Sequence, residues 1–375
     1  MIHRILTLVF LCSTCAQARG QIMDLKRGSV HRLAFTSDSK QLLVLNNLMG
    51  GREPVSSRIR LFSTADWKVT ADTGEQAVFN PSMALSRGNT CVFVGAEYFH
   101  QDFGSRLGKH LFHTVDLPTL KLKKFEPTGM GILYPHGPSL LACTDNRLLF
   151  ASASRSNPGA PFIFDLHALF VFDLKTGKKT IELQELPRNI VKRMFAEFSS
   201  DGKHILTYID GSFWLHAADT GKLLKTMPVD SQVYAMALST NGKRLAAYCA
   251  DGQILLVEPD LSKKSSPLKV EANTKIRDSV LYLQSLTFVG NGYLALFAAR
   301  GFNADGQMEA GEIKLYDTKE WKLRHTFEKK RTYTHCIAGS PDGKWLAAGF
   351  GIDNRVPGTV CVWEADSGKL FKEFK

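Results

Sequence analysis

The sequence has no G-x-S-x-G elbow, no H-E-x-x-H, no phosphate-cradling glycine loop and no paired-cysteine metal spacing. Each of these patterns sets a nucleophile, metal or nucleotide in a fixed geometry, so no catalytic motif of those kinds is available, and neither a cofactor nor a metal is expected. Apolar runs are short throughout, and none approaches the roughly 20 residues that a membrane-spanning helix needs. Asn-x-Ser/Thr acceptors with x other than Pro are absent, which fits a bacterial envelope protein better than a eukaryotic secreted one. Cysteine is sparse, with seven in the 375 residues.

Two of the seven, Cys12 and Cys15, lie in the opening stretch "MIHRILTLVFLCSTCAQARG". There Arg4 precedes an apolar run from Ile5 to Cys12, and Ala16 and Ala18 supply small residues around a cleavage point. This layout predicts a signal peptide over residues 1–18, cleavage after Ala18, and a secreted or periplasmic product. Export would separate the chain from nucleic acid, so no nucleic-acid partner is expected. The other five cysteines, Cys91, Cys143, Cys249, Cys336 and Cys361, are odd in number and scattered over separate apolar runs. They read as small core residues rather than as a disulfide framework.

What the sequence does contain is a repeated order of short apolar runs and turns. "FAEFSSDGKHILTYIDGSFWLHAADTGKLLKTM" gives the pattern almost without interruption, and six further copies follow the same order. Their turn landmarks, Asp38, Gly88, Asp145, Asp201, Asn241, Asn291 and Asp342, stand 40 to 57 residues apart, the period of propeller blades. Each copy reads as four strands, a to d. Strand a ends at an Asp/Asn-Gly-type turn, strand b follows at once, strand c alternates as in "EIKLYD", and strand d follows a second turn such as "DTGK". Trp67 and Trp321 fall in the same slot of their copies, as a structural repeat requires. The expected fold is all-β, a seven-bladed β-propeller with four antiparallel strands per blade over residues 30–375, preceded by an N-terminal segment at 19–29.

Three of these landmarks, "SPDG" from Ser340 to Gly343, Trp363 followed by Glu364, and Tyr316 followed by Asp317, resemble the WD40 family, in a divergent form of secreted bacterial type. The family's Gly-His pair is missing, with only His31 and His335 near its place. The resemblance implies a closed ring. "KLFKEF" after Asp366-Ser367-Gly368 matches "KLLKTM" after Asp219-Thr220-Gly221, so the last blade is expected to supply its own fourth strand, with "GQIMDL" from Gly20 to Leu25 as the competitor for that edge.

Charge and polar clusters are modest. The formal net charge is +11, and +10 once Arg4 is lost. Lys178, Lys179, Lys222, Lys263, Lys264, Lys322 and Lys369 sit at or just after the turn into strand d, where lysine opposes edge-to-edge pairing and would also attract an anionic macromolecule. "FNADGQMEAGE" (Phe302 to Glu312) groups Asn303, Asp305, Glu309 and Glu312 and reads either as an Asp-Gly turn or as a calcium loop. His110 and His113 lie three apart in strand c, on opposite faces, so they do not share a metal.

The b-to-c connections differ between copies. Copies four and five make tight turns at Asp210-Gly211 and Asp251-Gly252, whereas copies one, two, three, six and seven insert "NNLMGGREPVSS", "AEYFHQDFGSRLGK", "SRSNPGAPFIFDLH", "ARGFNADGQMEAG" and "GFGIDNRVPG". In a closed ring these five copies are consecutive, so their insertions form one crescent on one face. Arg52, Tyr98, Phe99, His100, Arg155, Arg300, Phe302 and Arg355 supply the residue types that anchor interfaces, with Asp353 as a polar partner. The expected function is an exported, non-enzymatic scaffold that binds a protein or other macromolecule. The alternative is a propeller enzyme, of lactone hydrolase or quinone-dependent dehydrogenase type, with its site at the central channel.

Overall fold

A computed structural model describes residues 27–49, 56–99, 106–117, 119–128, 140–155, 164–187, 190–191, 194–265, 268–269, 285–298, 311–328, 333–352 and 356–374. These residues form seven antiparallel sheets, each made from one contiguous stretch of chain. Blade 1 holds β1 (Arg27–Phe35), β2 (Gln41–Met49), β3 (Ser56–Ser63) and β4 (Val69–Asp72). Blade 2 holds β5 (Phe79–Leu85), β6 (Cys91–Phe99), β7 (Arg106–Asp116) and β8 (Lys121–Phe125). Blade 3 holds β9 (Leu140–Cys143), β10 (Arg147–Arg155), β11 (Phe164–Asp173) and β12 (Lys179–Glu182), with β13 (Ile190–Val191) on the outer edge of β11.

Blade 4 holds β14 (Met194–Phe198), β15 (His204–Ile209), β16 (Ser212–Ala217) and β17 (Leu223–Pro228). Blade 5 holds β18 (Val233–Leu238), β19 (Leu245–Cys249), β20 (Gln253–Val257) and β21 (Leu268–Lys269). Blade 6 holds β22 (Ser285–Val289), β23 (Tyr293–Ala298), β24 (Glu312–Asp317) and β25 (Leu323–Glu328). Blade 7 holds β26 (Tyr333–Gly339), β27 (Trp345–Ile352), β28 (Val356–Glu364) and β29 (Leu370–Phe374). The first strands β1, β5, β9, β14, β18, β22 and β26 touch in that order, and β26 returns to β1, so they surround a central axis. The expected seven-bladed propeller is the observed fold. Its first strand begins at Arg27, so Arg27 to Ser29, expected in the N-terminal segment, pair with β2 instead.

The ring follows from the second strand of each blade, which is apolar on both faces. Leu42 and Val44 of β2 pack toward blade 7, while Leu43 and Leu45 pack toward blade 2. In β19, Leu245, Ala247 and Cys249 face blade 4, and Ala246 and Tyr248 face blade 6. Side chains alternate across a strand, so one continuous apolar run feeds two interfaces. The core is therefore seven clusters, one between each pair of neighbours. The five cysteines from Cys91 onward are free and buried in this packing, as the sequence predicts.

Closure uses the last blade's own fourth strand. β29 lies on β28, and the blade 7–blade 1 junction is sealed by aromatic packing. Trp67 meets Trp345 edge-on at 5.3 Å, and Phe62 meets Phe374 at 4.7 Å. "GQIMDL" lies outside the described residues.

The turns between the first two strands repeat one hydrogen-bond pattern. Thr36, Ser199, Ser239 and Ser340 donate to Asp38, Asp201, Asn241 and Asp342 at 2.6 to 2.8 Å. The same hydroxyls accept the backbone N–H of Gln41, His204, Arg244 and Trp345. The hydroxyl bond holds the carboxyls of Asp38 and Asp201 below the usual range.

The turns between the third and fourth strands place one residue at positive φ in every blade: Trp67, Leu120, Gly177, Gly221, Leu261, Trp321 and Gly368. A Cβ at Gly177 would lie 2.7 Å from the Glu126 carbonyl oxygen of blade 2, and one at Gly368 would lie 2.6 Å from the His325 ring of blade 6. Where the preceding blade comes that close, glycine is needed. Where it leaves room, Trp67, Leu120, Leu261 and Trp321 pack their side chains into the interface with that blade. The left-handed backbone costs a non-glycine residue about 1–2 kcal/mol, and losing a buried Trp costs about 3–5 kcal/mol, so burial outweighs strain. Trp67→Gly should therefore lower the unfolding free energy by a net of about 1–4 kcal/mol in a urea titration, despite relieving the strain. An unchanged or higher midpoint would show that the backbone conformation, not the packing, dominates at this turn.

Candidate functional site

Two places break the regularity of the ring. The first is the rim formed by the hairpins between second and third strands. In blades 4 and 5 these strands have five or six residues and turn at Asp210-Gly211 and Asp251-Gly252, where Asp210, Gly211 and Gly252 adopt positive φ. In blades 7, 1, 2 and 3 the corresponding strands have eight to eleven residues. At about 3.3 Å per residue, the extra three or so residues raise these arms on the order of 10 Å above blades 4 and 5. The four blades are consecutive, so one arc of the rim is high and the opposite arc is low.

Of the residues expected in the crescent, three are described, and they belong to the arms rather than to loops. Tyr98 and Phe99 end β6, opposite Leu107 and Arg106, and Arg155 ends β10, opposite Phe164. The strand ladder continues through "VGAEYF" and "RLLFASASR", further than turn chemistry suggests. Arg52, His100, Arg300, Phe302, Asp353 and Arg355 lie outside the described residues, as do residues 1–18 and all of the acidic loop before residue 311. The register from His110 to His113 is unbroken. Among the described residues, no three His, Cys, Asp or Glu side chains gather as metal ligands.

The arm of blade 1 carries a polar group that sequence reasoning missed. Arg58 grips Asp72 with Nε at 2.8 Å and Nη2 at 2.5 Å. Arg60 donates from Nη2 to the Asn46 side chain at 3.2 Å, and its buried Nε makes no hydrogen bond. Burial, and then the charge of Arg58, push the Arg60 pKa down. On the other face, fully buried Ser57 lies opposite Asn47, and Ser57 Oγ and Asn47 Oδ1 are both unpaired. Nothing in "SSRIR" sets it apart, because "EIKLYD" of blade 6 carries charged residues at the same strand positions.

The second irregularity is on the first strands. Two residues before the hydroxyl of each first turn, or before its counterpart Val289 in blade 6, the chain places Ala34, Ala84, Ala142, Ala237, Thr287 and Ala338, but blade 4 places Glu197. The alanines at this position pack into the interface with the following blade. Burial pushes the Glu197 carboxyl up to about 7, against the opposing pull of Arg87 and Arg32. Arg87 starts in the first turn of blade 2 and donates to the carbonyls of Thr240 and Ser239 in blade 5, at 2.7 and 3.1 Å. Blades 2 and 5 are not neighbours, so this side chain crosses the end of the channel.

A carboxyl raised from 4.5 to about 7 binds its proton more tightly in the folded chain. Its stabilising contribution is complete below about pH 4.5 and is lost as pH rises through about 7. Glu197→Gln should remove this fall, leaving the variant more stable than the parent at pH 8 by up to about 2–3 kcal/mol. Melting curves of both proteins from pH 5 to 8 check this, and parallel profiles would contradict it.

The profile of the family described as WD domain, G-beta repeat, matches residues 321–364. The matched stretch contains β25 of blade 6 and then β26, β27 and β28 of blade 7, so the sequence unit is offset by one strand from the blade. No curated protein matches the chain significantly. A WD repeat match within a ring of seven four-stranded blades identifies the chain as a WD40-like β-propeller.

Proposed function

We propose that this propeller is a non-enzymatic scaffold that binds a partner protein along the high arc formed by the arms of blades 7, 1, 2 and 3. The supporting observation is the inequality of the arms. Blades 4 and 5 show that a two-residue turn completes the fold, so the longer arms are additions that the ring does not need. Insertions confined to one stretch of one face give a partner a continuous surface, on which Tyr98, Phe99 and Arg155 take positions at the arm ends. Arg52, His100, Arg300, Phe302, Asp353 and Arg355 belong to the same reading, with the half-buried Arg60 at the foot of the blade 1 arm. The overall positive charge favours an acidic partner surface or another anionic macromolecule.

The reading includes export, supported by the Arg4, apolar-run and Ala16/Ala18 layout of residues 1–18. Among the described residues, no helix is long and apolar enough to cross a membrane. An enzymatic reading rests on Glu197, a single carboxyl with a perturbed pKa on the first strand of blade 4.

The test begins with affinity purification of the mature chain and identification of what it retains. The arms of blades 7, 1 and 2 are then cut back to Asp-Gly turns on the pattern of blades 4 and 5. Binding of the identified partner should fall by about 100-fold or more while the melting transition survives, since interface anchors contribute about 2 kcal/mol or more each. Undiminished binding by a folded, shortened protein would remove the arc as the site.

A further inference from the structure

On the face that carries the turns between first and second strands, hydrogen bonds join neighbouring blades into a nearly complete circuit. Ser37 N–H donates to Asn89 Oδ1 at 2.8 Å between blades 1 and 2, and the Ser86 hydroxyl donates to the Asp145 carboxylate between blades 2 and 3. Arg147, at the start of β10, donates to the Gly202 carbonyl of blade 4. Thr240 Oγ1 donates to the Gly290 carbonyl of blade 6 at 3.0 Å, Gly290 N–H to the Ser340 carbonyl of blade 7 at 2.8 Å, and Asp342 N–H to Ser39 Oγ of blade 1 at 2.9 Å. Among the described residues, no hydrogen bond joins the first turn of blade 4 to that of blade 5. The polar link between these two blades, Val233 N–H to the Tyr208 hydroxyl at 3.0 Å, lies at the other end of β18, on the side of the arms. The same two blades have the short arms, so neither face adds much to the apolar cluster between them.

Arg87 stands at this gap. It belongs to blade 2, yet its Nη1 and Nη2 donate to the carbonyls of Thr240 and Ser239 in the turn of blade 5, at 2.7 and 3.1 Å. A second pair of distances sets the guanidinium close to blade 4. A Cβ on Gly242 of the blade 5 turn would lie 2.3 Å from Ser200 Oγ of blade 4 and 3.5 Å from Arg87 Nη2. Ser200 and the guanidinium therefore flank one point on the blade 5 turn, at the junction whose turns share no bond. At the position of Arg87 the other blades carry Ser37, Asp145, Ser200, Thr240, Gly290 and Pro341, none of them long enough to reach a blade that is not a neighbour. Two N–H groups of one planar fork fix both position and direction, and bonds from a charged donor are roughly twice as strong as neutral ones.

We propose that Arg87 is a clasp. From across the ring it supplies the link that the first turns of blades 4 and 5 lack, and its release makes their junction the place where the ring opens first. The clasp acts on the turn face, so it is independent of the protein-binding arc.

Hydrogen exchange of the full chain tests the clasp amide by amide. The reporters in blade 5 are the N–H groups of Ser239 and Gly242, which donate to the carbonyls of Arg244 and Ser239. The same bonds in blade 7, from Ser340 and Gly343 to the carbonyls of Trp345 and Ser340, serve as the reference. Arg87→Ala should speed exchange of the blade 5 pair by about tenfold or more and leave the blade 7 pair within about twofold. Arg87→Lys keeps the charge and the stem but loses the fork, so it should give the same order with a smaller gain, and it carries the test where the alanine variant does not fold. Equal acceleration in blades 5 and 7 would show that Arg87 adds only general stability. Unchanged exchange in blade 5 would show that its two bonds hold nothing, and either result overturns the proposal.

Discussion

Every blade depends on a second strand buried on both faces. Each such strand divides its side chains between two neighbours by simple alternation, so no blade owns a complete core. Burying a Val, Leu, Ile or Phe side chain is worth about 1.5–3 kcal/mol, and this gain exists only while both neighbours are present. Closing the ring is the way to give all seven blades two neighbours, with only the short outer strands left at the edge. The exposed lysines Lys121, Lys123 and Lys124 of β8 and Lys372 of β29 fit that position.

The turns adapt to this constraint locally. The position between third and fourth strands is left-handed in all seven blades, and the distance to the preceding blade decides its residue. Glycine stands where a carbonyl or ring is in the way, and Trp or Leu where a cavity would otherwise remain. The same logic explains closure without exchange of strands between the chain ends. Trp67 on one side and Trp345, Phe371 and Phe374 on the other supply enough aromatic surface to seal the last junction.

Much of this was legible in the sequence because it rests on residues repeated at a fixed period. "SSDGK", "STNGK" and "SPDGK" announce the hydroxyl-capped turns, and "LAAYC" or "CVFV" announce strands with two buried faces. The matched positions of Trp67 and Trp321 marked a shared turn, although not its positive φ. The functional features are less legible because they are the exceptions to that period. Turn chemistry marks where strands can stop, not where they do stop, so the sequence does not separate the arms from loops. Tyr98, Phe99 and Arg155 thus moved from loop to strand ends. Arg87 and the Ser239 and Thr240 carbonyls that it bonds lie about 150 residues apart in sequence, and only ring geometry brings them together. Arg58 and Arg60 were hidden inside a strand whose alternation was already satisfied by Ile59 and Leu61.

The central claim is that all seven interfaces hold one another in place, the blade 7–blade 1 junction included. Native-state hydrogen exchange of the amides in β2, β6, β10, β15, β19, β23 and β27 tests it most directly. Mutual support predicts that the slowest amides of all seven strands share one opening free energy, equal to that of global unfolding within about 1 kcal/mol. Exchange from β2 and β27 through a markedly cheaper opening, with the other five strands still protected, would contradict it and show that the ring opens at its seam.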